Sequence, residues 1–134
     1  MTPLKTVLIL LLLAAISTPL SAADVTGKWT GQMVIGMDAK TIPFVMDLKL
    51  DGSTLAGTFC FRDCTGNKQP MQNAKIAGDA ISFSVVTDTL DVPQFDFQGT
   101  ISGDEIKFII TGKAEQCGGS SCQIGTASAT RAKQ

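Results

Sequence analysis

Apolar and polar residues alternate along most of this chain. Phe44, Met46, Leu48 and Leu50 alternate with Val45, Asp47 and Lys49, and Leu55, Gly57, Phe59 and Phe61 alternate with Ala56, Thr58 and Cys60. The same rhythm carries Ile81, Phe83 and Val85, then Phe95, Phe97, Gly99 and Ile101, then Ile106, Phe108 and Ile110. A period of two predicts β-strands with one face turned to a core. Gly and Asp punctuate the runs. Residues 76–81 read Ile-Ala-Gly-Asp-Ala-Ile and residues 101–106 read Ile-Ser-Gly-Asp-Glu-Ile, 25 positions apart, each followed two residues later by Phe.

This repeat predicts two tight hairpins. Gly78-Asp79, Gly103-Asp104 and Gly52-Ser53 each put Gly first in a two-residue loop, the preference of a type II′ turn. Such loops pair Leu50 with Leu55, Ile76 with Ile81 and Ile101 with Ile106. Directly paired residues point to the same face. Continuing the register sets Leu48 against Gly57 and Met46 against Phe59, so the apolar face stays apolar.

Strands are therefore expected near 27–35, 40–51, 54–61, 70–77, 80–88, 94–102, 105–113 and 123–132. The three tight turns fall at one end. The longer connections, near 36–39, 62–69, 89–93 and 114–122, fall at the other. The expected fold class is all-β, an eight-stranded antiparallel up-and-down β-barrel, because closure removes exposed sheet edges. A two-sheet sandwich of about seven strands is the alternative. Strictly sequential hairpins argue against its usual Greek-key connections.

The N-terminus has the form of an export signal. Lys5 gives a positive start, Val7 to Ile16 is nearly unbroken apolar sequence, and Ser21-Ala22-Ala23 supplies small residues for cleavage after Ala23. The apolar run is shorter than the roughly 20 residues a membrane span needs. No Cys follows the cleavage position, which argues against a lipid anchor. The expected organisation is a signal peptide at 1–23 and a single barrel domain at 24–134. The destination is periplasmic or extracellular, with no membrane anchor after cleavage.

The mature chain would then keep 111 of the 134 residues, with 10 basic and 12 acidic side chains. No basic block exists, so nucleic-acid binding has no electrostatic footprint. The chain contains no His and no Tyr. That excludes His-dependent triads and most catalytic zinc sites.

Cys60 and Cys64 flank the third-to-fourth connection, and Cys117 and Cys122 lie in the seventh-to-eighth. Four Cys in a small exported domain imply two disulfides. Three pairings are possible. The two loops would lie on opposite sides of a barrel mouth, so Cys60–Cys64 and Cys117–Cys122 are favoured. A four-Cys zinc site would need all four to converge, and neither pair has the Cys-x-x-Cys spacing of a redox dithiol.

Val25-Thr26-Gly27-Lys28-Trp29-Thr30 opens the first strand, and Ala129-Thr130-Arg131 closes the last. This resembles the lipocalin, fatty-acid-binding and avidin group of barrels, the calycins. In that group a first-strand Trp packs against a last-strand Arg across the closed end. The resemblance implies this role for Trp29 and Arg131, as a cation–π stack worth about 0.5–2 kcal/mol. Leu55-Ala56-Gly57-Thr58-Phe59 adds an avidin-like note. The chain is also similar to small exported bacterial proteins of unassigned function that pair a Thr-Gly-Lys-Trp start with repeated Gly-Asp-x-Ile hairpins. Biotin binding does not carry over, since avidin-type sites use several Trp and a Tyr, and this chain has one Trp.

Asp88, Asp91 and Asp96 beside the fifth-to-sixth loop would suit a carboxylate pair or a weak calcium site. They read more simply as a solvated acidic loop, without an Asp-x-Asp-x-Asp-Gly pattern. Arg62, Asp63 and Lys68 read likewise as loop charge. Ser120 and Ser121 have no His beside them, and Lys113 alone is an unconvincing base, so no catalytic residue, metal site or cofactor is expected. The leading expectation is a non-enzymatic carrier. It would hold a small apolar molecule at the long-loop mouth, against Phe44, Phe61 and Phe95 at the mouth ends of their strands. The alternative is a protein-interaction module, such as a secreted inhibitor or envelope accessory protein. It would meet another exported protein through Arg62, Asp63 and the Gly118–Ser121 loop. A solid barrel interior would favour it.

Overall fold

The computed structural model describes residues 24–62, 64, 68–86, 94–113 and 117–132. The expected signal segment at 1–23 lies outside them. The described chain is an antiparallel β-barrel of nine strands, nearly closed. They are β1 (Gly27–Ile35), β2 (Lys40–Asp51), β3 (Thr54–Phe61), β4 (Gln69–Pro70), β5 (Gln72–Ala77), β6 (Ala80–Val86), β7 (Gln94–Ser102), β8 (Glu105–Lys113) and β9 (Ser121–Arg131). Around the wall the order is β4-β3-β2-β1-β9-β8-β7-β6-β5, so each strand pairs with its sequence neighbour and β9 closes onto β1.

The extra strand comes from a break in the expected 70–77 strand. Pro70 has no N–H to extend a ladder, and Asn73 adopts a left-handed φ of 54° at a bulge between Gln72 and Lys75. The chain thereby changes partner within a few residues. Gln69 and Pro70 pair with Phe59 and Thr58 of β3, and β5 pairs with β6. A Met71 N–H to Gly57 carbonyl bond of 2.9 Å continues the seam. One interrupted segment thus joins the two ends of the sheet.

The hairpin register follows the turn chemistry. Leu50 faces Leu55, Ile76 faces Ile81 and Ile101 faces Ile106. Gly52, Gly78 and Gly103 have φ of 58–64°, while the residues after them keep negative φ. That is the type II′ pattern, reached by Gly without a Cβ penalty.

Inward positions fill the barrel. Trp29, Met33, Phe44, Met46, Phe59, Phe83, Val85, Phe95, Phe97, Ile106, Phe108 and Ile110 are buried at alternate places along their strands. All seven phenylalanines of the chain join one ring cluster. Phe59 touches Phe44, Phe61, Phe83 and Phe97, with neighbouring centroids 4.9–6.2 Å apart. These are the separations that stacked and edge-to-face rings prefer. Gly99 makes room for this packing. A Cβ built on it would come 2.6 Å from the Phe108 ring.

Candidate functional site

The tight-turn end is sealed by the first and last strands. Trp29 and Arg131 are direct cross-strand partners, and the guanidinium carbon lies 4.6 Å from the indole centroid. Arg131 also donates from Nη1 to the Thr26 carbonyl (2.9 Å), from Nη2 to the Asp24 carbonyl (3.0 Å) and from Nε to Asp104 Oδ1 (3.0 Å). The Trp29 Nε1–H donates to the Val25 carbonyl at 2.9 Å. Residues 24–26 are thereby folded across the barrel end, with Val25 fully buried.

The long-loop end gathers the residues singled out as a candidate mouth. Phe44 and Phe95 are no more than 1% exposed. Phe44 stacks on Phe59 with centroids 5.0 Å apart, and Phe95 packs against Phe61 and Phe97. A cavity wide enough for a small molecule would leave the rings lining it open to that space. Phe61 differs: it is half-buried at the rim, edge-on to Phe59.

The disulfides are Cys60–Cys64 and Cys117–Cys122. They occupy different places. Cys60 alternates with the inward Phe59 and Phe61, so it points to the outer side of the sheet, opposite Val45, although it is itself only 2% exposed. Cys117 and Cys122 instead pack against the apolar core at the long-loop end, where the Cys117 Sγ lies 3.7 Å from the Gly112 carbonyl. The second bridge therefore helps cover the ring cluster. Two disulfides fit an oxidising environment outside the cytosol.

Among the described residues the polar candidates lie apart from one another, Ser121 and Lys113 excepted. Asp96 accepts hydrogen bonds from Ser84 Oγ (2.6 Å) and Gln94 Nε2 (2.9 Å), which satisfies it locally. Asp88, Asp91 and Asp63 lie outside the described residues. Lys68 reaches Asp47 at 3.9 Å on the outer wall, and Arg62 is exposed with a left-handed φ of 65°. Ser121 faces Lys113 across the β8–β9 ladder, both exposed. Among the described residues no three His, Cys, Asp or Glu side chains converge to hold a metal ion.

One exposed residue escaped the sequence reading. Met37, in the connection between β1 and β2, is 85% exposed. Its turn is firmly held. Gly36 and Ala39 take left-handed φ of 83° and 51°, the Ala39 N–H bonds the Gly36 carbonyl (3.1 Å), and the Gly36 N–H bonds the Ile124 carbonyl of β9 (3.0 Å). An apolar side chain between Gly36 and Asp38, in a connection this short, was the available signal. Around the long-loop end the sheet order sets this turn between the Cys117–Ser120 loop and the end of β3. Compared with known proteins, the chain matches no family model, no curated protein and no solved structure.

Proposed function

We propose that this chain is an exported, non-catalytic protein-interaction module of calycin-like form, working outside the cytosol in the periplasm or beyond the cell. Its long-loop end meets another exported protein. The observation that carries this reading is the filled interior, since the seven-ring cluster occupies the space a carried molecule would need. Three further features support it. Met37 stands out on a turn whose backbone is already ordered, which lowers the entropy cost of docking it into a partner's apolar pocket. Gly118 to Ser121 and Arg62 are exposed beside it. A disulfide braces each of the two flanking loops.

A second reading, a small apolar molecule held at the same end, is favoured by the half-buried rim position of Phe61. In that reading Phe61 is the contact, with Phe44 and Phe95 behind it.

Two measurements separate these readings. Native mass spectrometry of protein from the exported fraction should give a bare chain; a discrete small-molecule adduct would overturn the interaction module in favour of the carrier. A photoreactive side chain in place of Met37 should yield a discrete protein adduct in cells, and the same group in place of Ala56, exposed on the outer wall of β3, should not. Equal labelling at both positions would count against the long-loop end as the docking surface.

A further inference from the structure

We propose that Gln69, Pro70 and Met71 form a strap that closes the barrel wall and swings open as a unit, pivoting at Asn73, while the rest of the barrel stays folded. The strap is the weakest link in the sheet. Its ladder to β3 holds two residue pairs, Thr58 with Pro70 and Phe59 with Gln69. The ladders β1–β2, β2–β3, β7–β8 and β8–β9 hold eight or nine pairs, and β1–β9 and β6–β7 hold seven. Pro70 brings no N–H to the strap. One more backbone bond, from the Met71 N–H to the Gly57 carbonyl at 2.9 Å, ends the seam. Beyond it, among the described residues, no ladder joins residues 54–56 of β3 to β5. Lys68 reaches Asp47 at 3.9 Å just before the strap, with both side chains about half exposed. An ion pair so exposed adds little to the closure.

The pivot is built into the fold. Asn73 takes a left-handed φ of 54° at the bulge between Gln72 and Lys75. Asn enters that region more readily than most residues with a side chain, and a bulge bends the strand that carries it. The chain changes partner across this bulge. Met71 is bound to β3, whereas Lys75, Ile76 and Ala77 pair with β6. Hinges are residues of this kind, at the end of an element, where a change of φ and ψ is absorbed. β5 can therefore keep its place on β6 while the strap leaves β3.

A single side chain does most to hold the strap down. Met71 lies over Gly57, where a Cβ would come 3.0 Å from the Met71 Sδ and 3.1 Å from Leu48 Cδ2. The absent Gly57 side chain leaves a slot, and Met71 fills it. Met71 is only half-buried, as are Ala74 and Ile76 along β5. By contrast Met33, Val85, Phe97 and Ile110, inward on the longer ladders, are at most 1% exposed. A segment with few backbone bonds and little buried apolar surface opens at a lower free energy than the whole fold. Withdrawal of Met71 uncovers Gly57 and Leu48 from the side, so the wall offers a way into the core separate from the long-loop end. The device goes beyond the proposed function and does not depend on it.

Native-state hydrogen exchange of the mature chain tests this. The Met71 amide should exchange roughly a hundredfold faster than the slowest amides of β7 and β8. Its rate should also depend less on denaturant, because less surface is exposed in the opening. The amides joining β5 to β6 should stay more protected than Met71. Ile110→Val, in the core away from the strap, should speed the slowest β7 and β8 amides several-fold and leave the Met71 rate unchanged. Met71 protection equal to that of β7 and β8 overturns the proposal, as does a Met71 rate that rises in step with theirs in Ile110→Val. Loss of β5–β6 protection together with Met71 overturns it too, since the wall would then not pivot at Asn73.

Discussion

Arg131 stands directly across the β1–β9 ladder from Trp29 and covers its ring, while three of its nitrogens hold the Asp24 carbonyl, the Thr26 carbonyl and the Asp104 carboxylate. One side chain thus joins the last strand to the segment preceding the first. Replacing it with Ala removes the cation–π contact and leaves two backbone carbonyls without this donor. Arg131→Ala should lower unfolding free energy by about 2–3 kcal/mol. Asp104 is 81% exposed, and Asp104→Asn should cost less than about 1 kcal/mol. Urea unfolding followed by Trp29 fluorescence compares the two; equal losses would show that the ion pair, and not the clasp on residues 24–26, carries the stabilisation.

The ring cluster makes Gly99 sensitive to any side chain. Gly99→Ala places a methyl against Phe108 in a space the rings already fill, and overpacking of this kind costs about 1–3 kcal/mol. Gly78→Ala, at a turn where a Cβ meets nothing within 4 Å, loses only the glycine's ease at φ of 58°. Thermal melts should show the larger drop for Gly99→Ala. A tolerated Gly99→Ala would mean the interior is loose enough to absorb a methyl, and would weaken the filled-barrel reading.

Phe59 and Phe61 are neighbours on the same strand face with different surroundings. Phe59→Ala should cost about 3–5 kcal/mol, as expected for a fully enclosed ring. Phe61→Asp should leave a folded protein, because the rim position lets the carboxylate reach water. Denaturant midpoints for the two variants decide this. Unfolding of the Phe61→Asp protein would show that Phe61 is enclosed by the loops around it.

The two disulfides should differ in their secondary effects. Each closes a loop of a few residues, so opening either should cost about 2 kcal/mol on the chain-entropy account. Opening Cys117–Cys122 also uncovers the core at the long-loop end. Replacing both Cys117 and Cys122 with Ser should therefore increase binding of a hydrophobic dye, and the matching change at Cys60 and Cys64 should not. Equal dye binding would remove the distinction between a bridge over the core and a bridge on the outer wall.

Much of the barrel was legible in the sequence because its information is local. Gly at the first loop position fixes the turn, the turn fixes the pairing, and the alternation of residues such as Met46 and Phe59 then assigns a face. The break at Met71 was not legible in the same way. Pro70 was visible, but the change of partner from β3 to β6 depends on where the two ends of the sheet meet, which no nearby residue states. The inward-facing phenylalanines were identified, yet whether they line a space or fill it depends on how far rings from opposite walls reach. Met37 went unremarked because alternation says nothing about a turn. Its prominence comes from the Gly36–Ile124 bond to another strand.

The clasp at Arg131 also decides how the molecule can be handled. Asp24 and Arg131 meet there, so the described chain enters and leaves the barrel on one side. A surface attachment, purification tag or fused domain added at either terminus would stand behind the molecule as a stalk. The loops opposite would remain unobstructed, facing whatever is brought to them.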